Sequence, residues 1–136
     1  MNYQKKPIIL VCVTKQETSE EIINHGASIR DEVDGDLYLL HVTKKDISNT
    51  LTQNIEHFYK LSRRYNANMT VMTSDNVIEI MKQVVKDLGV SIIVMGETKQ
   101  QHLKKSTLYK LQQSFGNLLT YKIVSIIEEN DFQDVI

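Results

Sequence analysis

The chain has 136 residues, 41% of them hydrophobic, which suits one globular domain (1–136) burying somewhat over ~60% of the surface its unfolded form exposes. Sixteen Lys and Arg against seventeen Asp and Glu leave a formal charge of -1, which excludes a global electrostatic drive toward nucleic acid or an anionic membrane. A single cysteine, Cys12, excludes an internal disulfide and a zinc cluster. No run approaches the ~20 apolar residues of a membrane span, and the polar segment Met1 to Pro7 leads on without a cleavage pattern, so the expected setting is the reducing cytoplasm.

Ile8 to Val13 is β-branched and apolar, the composition of a strand buried on both faces of a parallel sheet, with Pro7 at its entry and Cys12 as a small core residue. Thr18-Ser19-Glu20-Glu21 offers a capping box for a first helix, whose inward face takes Ile22, Ile23, Gly26, Ala27, Ile29 and Val33. Asp34-Gly35 is expected to close it through a left-handed cap, and Leu37 to Val42 makes a second buried strand. Leu51, Ile55, Phe58 and Tyr65 space out a second amphipathic helix from Ser48, with Arg63 and Arg64 against its C-terminal dipole. Asn66-Ala67-Asn68 breaks that helix.

Met69 to Met72 reads as a shorter, more polar edge strand, and Ser74-Asp75 as the cap of a third helix lined by Val77, Met81, Val84, Val85 and Leu88. Gly89 ends it, and Ser91 to Gly96 forms a continuous apolar strand delivering a polar loop, Glu97 to Lys105. A fourth helix with Leu108, Leu111, Phe115, Leu118 and Leu119 inward precedes a last strand, Tyr121 to Ile127. Residues 129–136 read as an acidic tail that either frays or docks on a partner. Alternation of strands and helices predicts parallel pairing through right-handed crossovers, hence a three-layer doubly wound α/β sandwich. Taking strand 1 as central and paired with strand 4 gives the order 3-2-1-4-5. Ligands of such sheets collect beyond the carboxyl ends of the strands where crossovers diverge, here Val13-Thr14-Lys15 and Met95-Gly96-Glu97-Thr98-Lys99.

In Ile9 to Thr14 followed by Glu17-Thr18-Ser19, in Leu37 to Val42, in Ser91 to Gly96 and in Tyr121 to Ile127, the sequence resembles a universal stress protein domain over nearly its whole length. It is also similar to the universal-stress-like segment of bacterial potassium sensor kinases. The resemblance implies the adenine nucleotide alpha hydrolase-like fold, a stress or regulatory role, ATP, AMP or another adenine nucleotide as candidate ligand, and a homodimer whose Tyr121–Ile127 edge strands meet. Family members that bind ATP place an aspartate after strand 1, a base-contacting residue at the end of strand 2, and phosphates on Gly-x-x-Gly, nine residues, then Gly-Ser. Carried over without gaps, these positions are Thr14, Val42, Gly96, Lys99, Tyr109 and Lys110. Val42 and Gly96 match the pattern and the others depart from it. A shifted alignment puts Ser106-Thr107 at the Gly-Ser position, but the ungapped one keeps the last strand in register and is preferred.

Thr14 brings a hydroxyl where the carboxylate would stand, and Lys99 and Lys110 supply ammonium groups where the family uses backbone amides. From Thr98 to Lys122 there are Lys99, Lys104, Lys105, Lys110 and Lys122 with no Asp or Glu; a solvated surface is the simpler reading of that group, anion binding the sharper one. His41 reads as a hydrogen-bonded core histidine. The absence of His-x-x-x-His, Cys-x-x-Cys, Gly-x-Ser-x-Gly and Gly-Lys-Thr patterns leaves zinc, acyl-transfer and P-loop chemistry without a basis. The expected function is non-enzymatic ligand binding. A pure interaction module whose crevice is filled by Lys99 and Tyr109 is the alternative, and a nucleotide-hydrolysing enzyme comes third.

Overall fold

The structure is a computed structural model and describes residues 5–14, 16–43, 50–97 and 106–125. Its elements follow in the order β1 (Ile8–Cys12), α1 (Gln16–Val33), β2 (Asp36–Thr43), α2 (Thr50–Arg64), β3 (Asn68–Thr73), α3 (Val77–Leu88), β4 (Ile92–Gly96), α4 (Thr107–Phe115), a 3-10 turn (Gly116–Leu118) and β5 (Thr120–Val124). The five strands form one parallel sheet of order β3-β2-β1-β4-β5. Central β1 pairs Cys12 with Leu40 on one side and with Met95 on the other.

Side chains alternate across the sheet and build two cores. One joins Ile9, Val11 and Val94 to Ile22, Ile23 and Ala27 of α1 and to Phe58 and Leu61 of α2. The other joins Leu10, Leu40, Ile93 and Met95 to Met81 and Val85 of α3 and to Leu111 of α4. Helices α1 and α2 therefore cover one face and α3 and α4 the other, which is the arrangement that right-handed crossovers on this strand order require. At Gly35 the chain turns tightly under β1: a Cβ there would stand 2.5 Å from the Pro7 carbonyl oxygen.

Several local expectations are corrected. Helix α1 starts at Gln16, upstream of the Thr18–Glu21 capping box. Ser19 instead turns inward, fully buried, and its Oγ donates to the Gln16 carbonyl at 2.8 Å. Val33, the last residue of α1, is 37% exposed. The left-handed cap expected at Asp34-Gly35 is present, with Asp34 as its left-handed residue (φ 53). Asn76 rather than Ser74-Asp75 caps α3, its side chain accepting from the Glu79 N–H at 3.3 Å while Ser74 Oγ accepts from the Asn76 N–H at 3.0 Å.

Arg63 and Arg64 do lie in the last turn of α2, and Arg64 also pairs with Glu20 at 2.5 Å. Leu118 is 86% exposed: α4 stops at Phe115, Gly116 (φ 51) starts a tighter turn, and Leu119 takes the inward position. Ser48, the Leu51 side chain, Ile126, Ile127 and the 129–136 tail lie outside the described residues.

Candidate functional site

Because α1 leaves β1 on one face while α3 returns to β4 from the other, the carboxyl ends of β1 and β4 border a crevice. Of the residues expected there, Val13 and Thr14 leave β1, Met95 and Gly96 end β4, and Val42 lies near the end of β2. Val42 and Met95 both face the α3/α4 core and are buried, Gly96 is half-buried and Thr14 is exposed.

Val13 has no group left to offer. Its side chain is buried in the α1/α2 core, its N–H donates to the Leu40 carbonyl at 3.0 Å, and its carbonyl accepts from His41 Nδ1 at 2.9 Å. It serves the crevice through the chain it hands on to Thr14.

Helix α4 is the element that follows β4 in the chain. Ser106 caps this helix, its Oγ accepting from the Tyr109 N–H at 3.0 Å. Tyr109, half-buried, and Lys110, exposed, therefore sit inside the first turn, and the helix start coincides with Ser106-Thr107, the position of the shifted alignment. Lys99, Lys104, Lys105 and Lys15 lie outside the described residues. The two remaining lysines of the group separate: Lys110 belongs to α4, whereas Lys122 lines a groove against α1 on the opposite face.

Sequence reasoning missed what holds the rim. Glu97 prolongs the β4/β5 pairing through its N–H to the Val124 carbonyl at 2.9 Å, and its carboxylate accepts from Ser125 Oγ at 2.9 Å. That bond draws the one carboxylate beside Gly96 toward β5. Nothing in the spacing of Glu97 and Ser125 announces it, since the two meet only once β4 and β5 pair. On the α1/α2 face, Gln16 Nε2 donates to Asn54 Oδ1 at 2.5 Å and Ser19 Oγ lies 3.0 Å from His57 Nε2, so polar contacts tie the two helices together at the site end of the sheet.

Cys12, one residue before Val13, is chemically quiet: burial pushes its thiol up to about 12. Among the described residues no group of three or more His, Cys, Asp or Glu is placed to hold a metal ion, and no helix is long and apolar enough to cross a membrane. A wide, open groove of about 540 Å³ lies between His25, Ser28, Ile29 and Glu32 of α1 and residues 122–125. None of its lining residues belongs to β1 or β4, so it is distinct from the crevice and borders the outer strand β5.

These features define a doubly wound α/β domain with its candidate site at the topological switch point. More narrowly, the chain has the universal stress protein fold. It superposes on the hypothetical protein MJ0577 with a TM-score of 0.68 at 16% identity, covering 93% of this chain and 100% of that one. A universal stress protein solved in complex with cAMP gives 0.63 at 8% identity over 90% and 98% of the two chains. The universal stress protein from Archaeoglobus fulgidus in complex with dAMP gives 0.61 at 11% identity over 90% and 98%. By sequence, the chain is 25% identical over 111 residues to a putative sensor protein KdpD of Synechocystis, covering 77% of this chain. The chain spans about 30% of that relative's length. No protein-family model matches the sequence.

Proposed function

We propose that this chain is a non-enzymatic regulatory module of the universal stress type. It binds an adenine nucleotide or another phosphate-bearing ligand at the β1/β4 crevice and pairs with a second copy through β5. The observation that carries the reading is the convergence of Thr14, Val42, Met95 and Gly96 on one end of the sheet, where the crossovers part to opposite faces. Val42 and Met95 would offer apolar contact to a base, and Gly96 lets a sugar or phosphate approach closely. The start of α4, with Ser106 and Lys110, and Lys99, which precedes it in sequence, would neutralise the charge. Solved neighbours of the same fold in complex with cAMP and dAMP support this ligand class. A cytoplasmic location accords with the reading.

Isothermal titration with ATP, AMP and cAMP tests the binding half, together with mass spectrometry of small molecules released from the natively purified protein. Saturable binding of one of them is expected; no heat with any of the three and no released nucleotide overturns it. For pairing, β5 is an outer strand with Ile123 38% exposed, and an apolar edge is normally covered. Light scattering should give twice the monomer mass and Ile123→Lys should give the monomer; a monomeric wild-type chain contradicts it. The half-buried Tyr109 favours the second reading, an interaction module whose ring fills the cradle. In that case Tyr109→Gly would create nucleotide binding that the wild type lacks.

A further inference from the structure

His41 is 3% exposed and sits two residues before the end of β2. Its ring packs on Phe58 with centroids 4.6 Å apart at 44°. The Val13 carbonyl can only accept, so Nδ1, 2.9 Å away, carries the proton and donates to it. In the neutral ring Nε2 is then a bare acceptor, and it is buried without a partner. A buried polar atom left unpaired costs free energy, so the bond that Nδ1 makes must have a structural or functional return.

That return lies in which way one peptide faces. The β1/β2 ladder ends at Cys12 and Leu40. Beyond it Val13 is held twice from the β2 side, by the Leu40 carbonyl on its N–H and by His41 on its own carbonyl. In a trans peptide the C=O and N–H of one unit point in opposite directions, and no cis peptide occurs among the described residues. With the Val13 carbonyl held toward β2, the N–H of the same peptide, which belongs to Thr14, is turned toward β4, the other neighbour of β1. That is the side on which Met95 and Gly96 end β4.

We propose that His41 is a positioning residue for the crevice: by fixing the Val13 carbonyl it aims the Thr14 amide N–H at the ligand as a preset hydrogen-bond donor, one suited to an anionic or hydroxyl oxygen. The Thr14 backbone then supplies a donor at the position where the universal stress resemblance leads one to look for a carboxylate. The inference rests on the binding reading above for its ligand, and on the peptide geometry alone for the orientation.

The test uses three isotope-labelled proteins, the wild type, His41→Phe and His41→Asn. Phenylalanine keeps a ring on Phe58 and deletes the donor; asparagine deletes the ring and keeps an N–H near the Nδ1 position. In the ligand-free wild type, the long-range proton–nitrogen spectrum is expected to show His41 protonated on Nδ1 and bare on Nε2; the opposite tautomer overturns the proposal, and this measurement stands even if neither variant folds.

In the variants, the Thr14 amide resonance is expected to move in His41→Phe and to stay near its wild-type position in His41→Asn. An unmoved Thr14 amide in His41→Phe overturns the proposal. Titrated with AMP, His41→Phe should bind about tenfold more weakly, the loss of one hydrogen bond to a charged group, and His41→Asn should recover most of that loss. Wild-type binding retained in full by His41→Phe refutes the positioning role. If the wild type itself ignores AMP, the nucleotide reading falls, and the tautomer and the Thr14 resonance still decide the orientation.

Discussion

Replacing Gly26 by alanine tests the packing on which the crevice stands. In an open helix the change would stabilise by about 1 kcal/mol. Gly26 is buried mid-way along α1, and a Cβ built on it falls 2.3 Å from Val11 Cγ2, a methyl group on the central strand. Carbon atoms pack at roughly 3.5–4.0 Å. Either α1 lifts away from β1 or Val11 leaves its rotamer, and overpacking of that kind costs about 1–3 kcal/mol, enough to cancel the helix gain and reverse its sign.

The expected result in urea unfolding is a net loss of about 1 kcal/mol of stability, the overpacking cost less the helix gain, seen as a lowered midpoint with the slope unchanged. The decisive arm repeats the substitution in a Val11→Ala background, which alone costs roughly 2 kcal/mol. There the remaining neighbours are Leu37 Cδ1 at 3.3 Å, the tip of a flexible side chain, and the Cβ of position 11 at 3.8 Å. Gly26→Ala should then stabilise. If it destabilises equally in both backgrounds, contact with β1 is not the reason for the glycine.

Further consequences concern three ionisable groups. The Arg64 guanidinium, and after it the Tyr65 hydroxyl, hold the Glu20 carboxyl below the usual carboxylate range. Its folded value lies under its unfolded one, so the stabilisation is present above the unfolded value and disappears as pH falls through the folded one. Carbon-detected titration should show the Glu20 value rise in Arg64→Ala, and an unchanged value would contradict the pairing. Cys12, at about 12, should leave only about one thiolate in ten thousand at pH 8, so a thiol reagent should modify it quickly only after denaturant is added; prompt modification of the native protein argues against its burial.

The Tyr121 hydroxyl donates to the Gly116 carbonyl at 3.1 Å and lies 3.3 Å from that of Leu111. Tyr121→Phe should lose about 1 kcal/mol in urea unfolding. Because burial raises the Tyr121 value, its contribution is full below the unfolded tyrosine value and fades as pH rises through the folded one. The wild type should therefore lose part of its lead over Tyr121→Phe on the alkaline side; a gap that is constant with pH would refute the link.

The sheet was readable because its strands are near-continuous apolar runs, a pattern that only burial on two faces explains, and because each crossover has the length of one helix. Strand order followed from where those runs differ: β3, with Thr70 and Thr73 exposed, reads as an edge, and β1 as a centre. Helix starts were less legible, since Ser, Thr, Asp and Asn cluster at every candidate cap and several compete for the same amide. Asn76 prevailed over Ser74-Asp75 by one hydrogen bond whose geometry depends on how the chain leaves β3.

At the site, residue types and positions were visible and hydrogen-bond partners were not. That His41 would be buried could be read from Leu39-Leu40-His41-Val42. That it would bond Val13, twenty-eight positions away, depends on the register of β1 against β2. The lysines show the same limit, because closeness in sequence does not say which face each takes, and the parity of β5 sends Lys122 to the other face of the sheet from α4.

The central claim is that a phosphate-bearing adenine ligand occupies the β1/β4 crevice. Chemical-shift mapping of the labelled protein with AMP tests it most directly. The account predicts saturable shifts concentrated at Thr14, Val42, Met95, Gly96 and the Ser106 to Lys110 turn. Shifts confined to the groove between α1 and β5, or none at all, would contradict it.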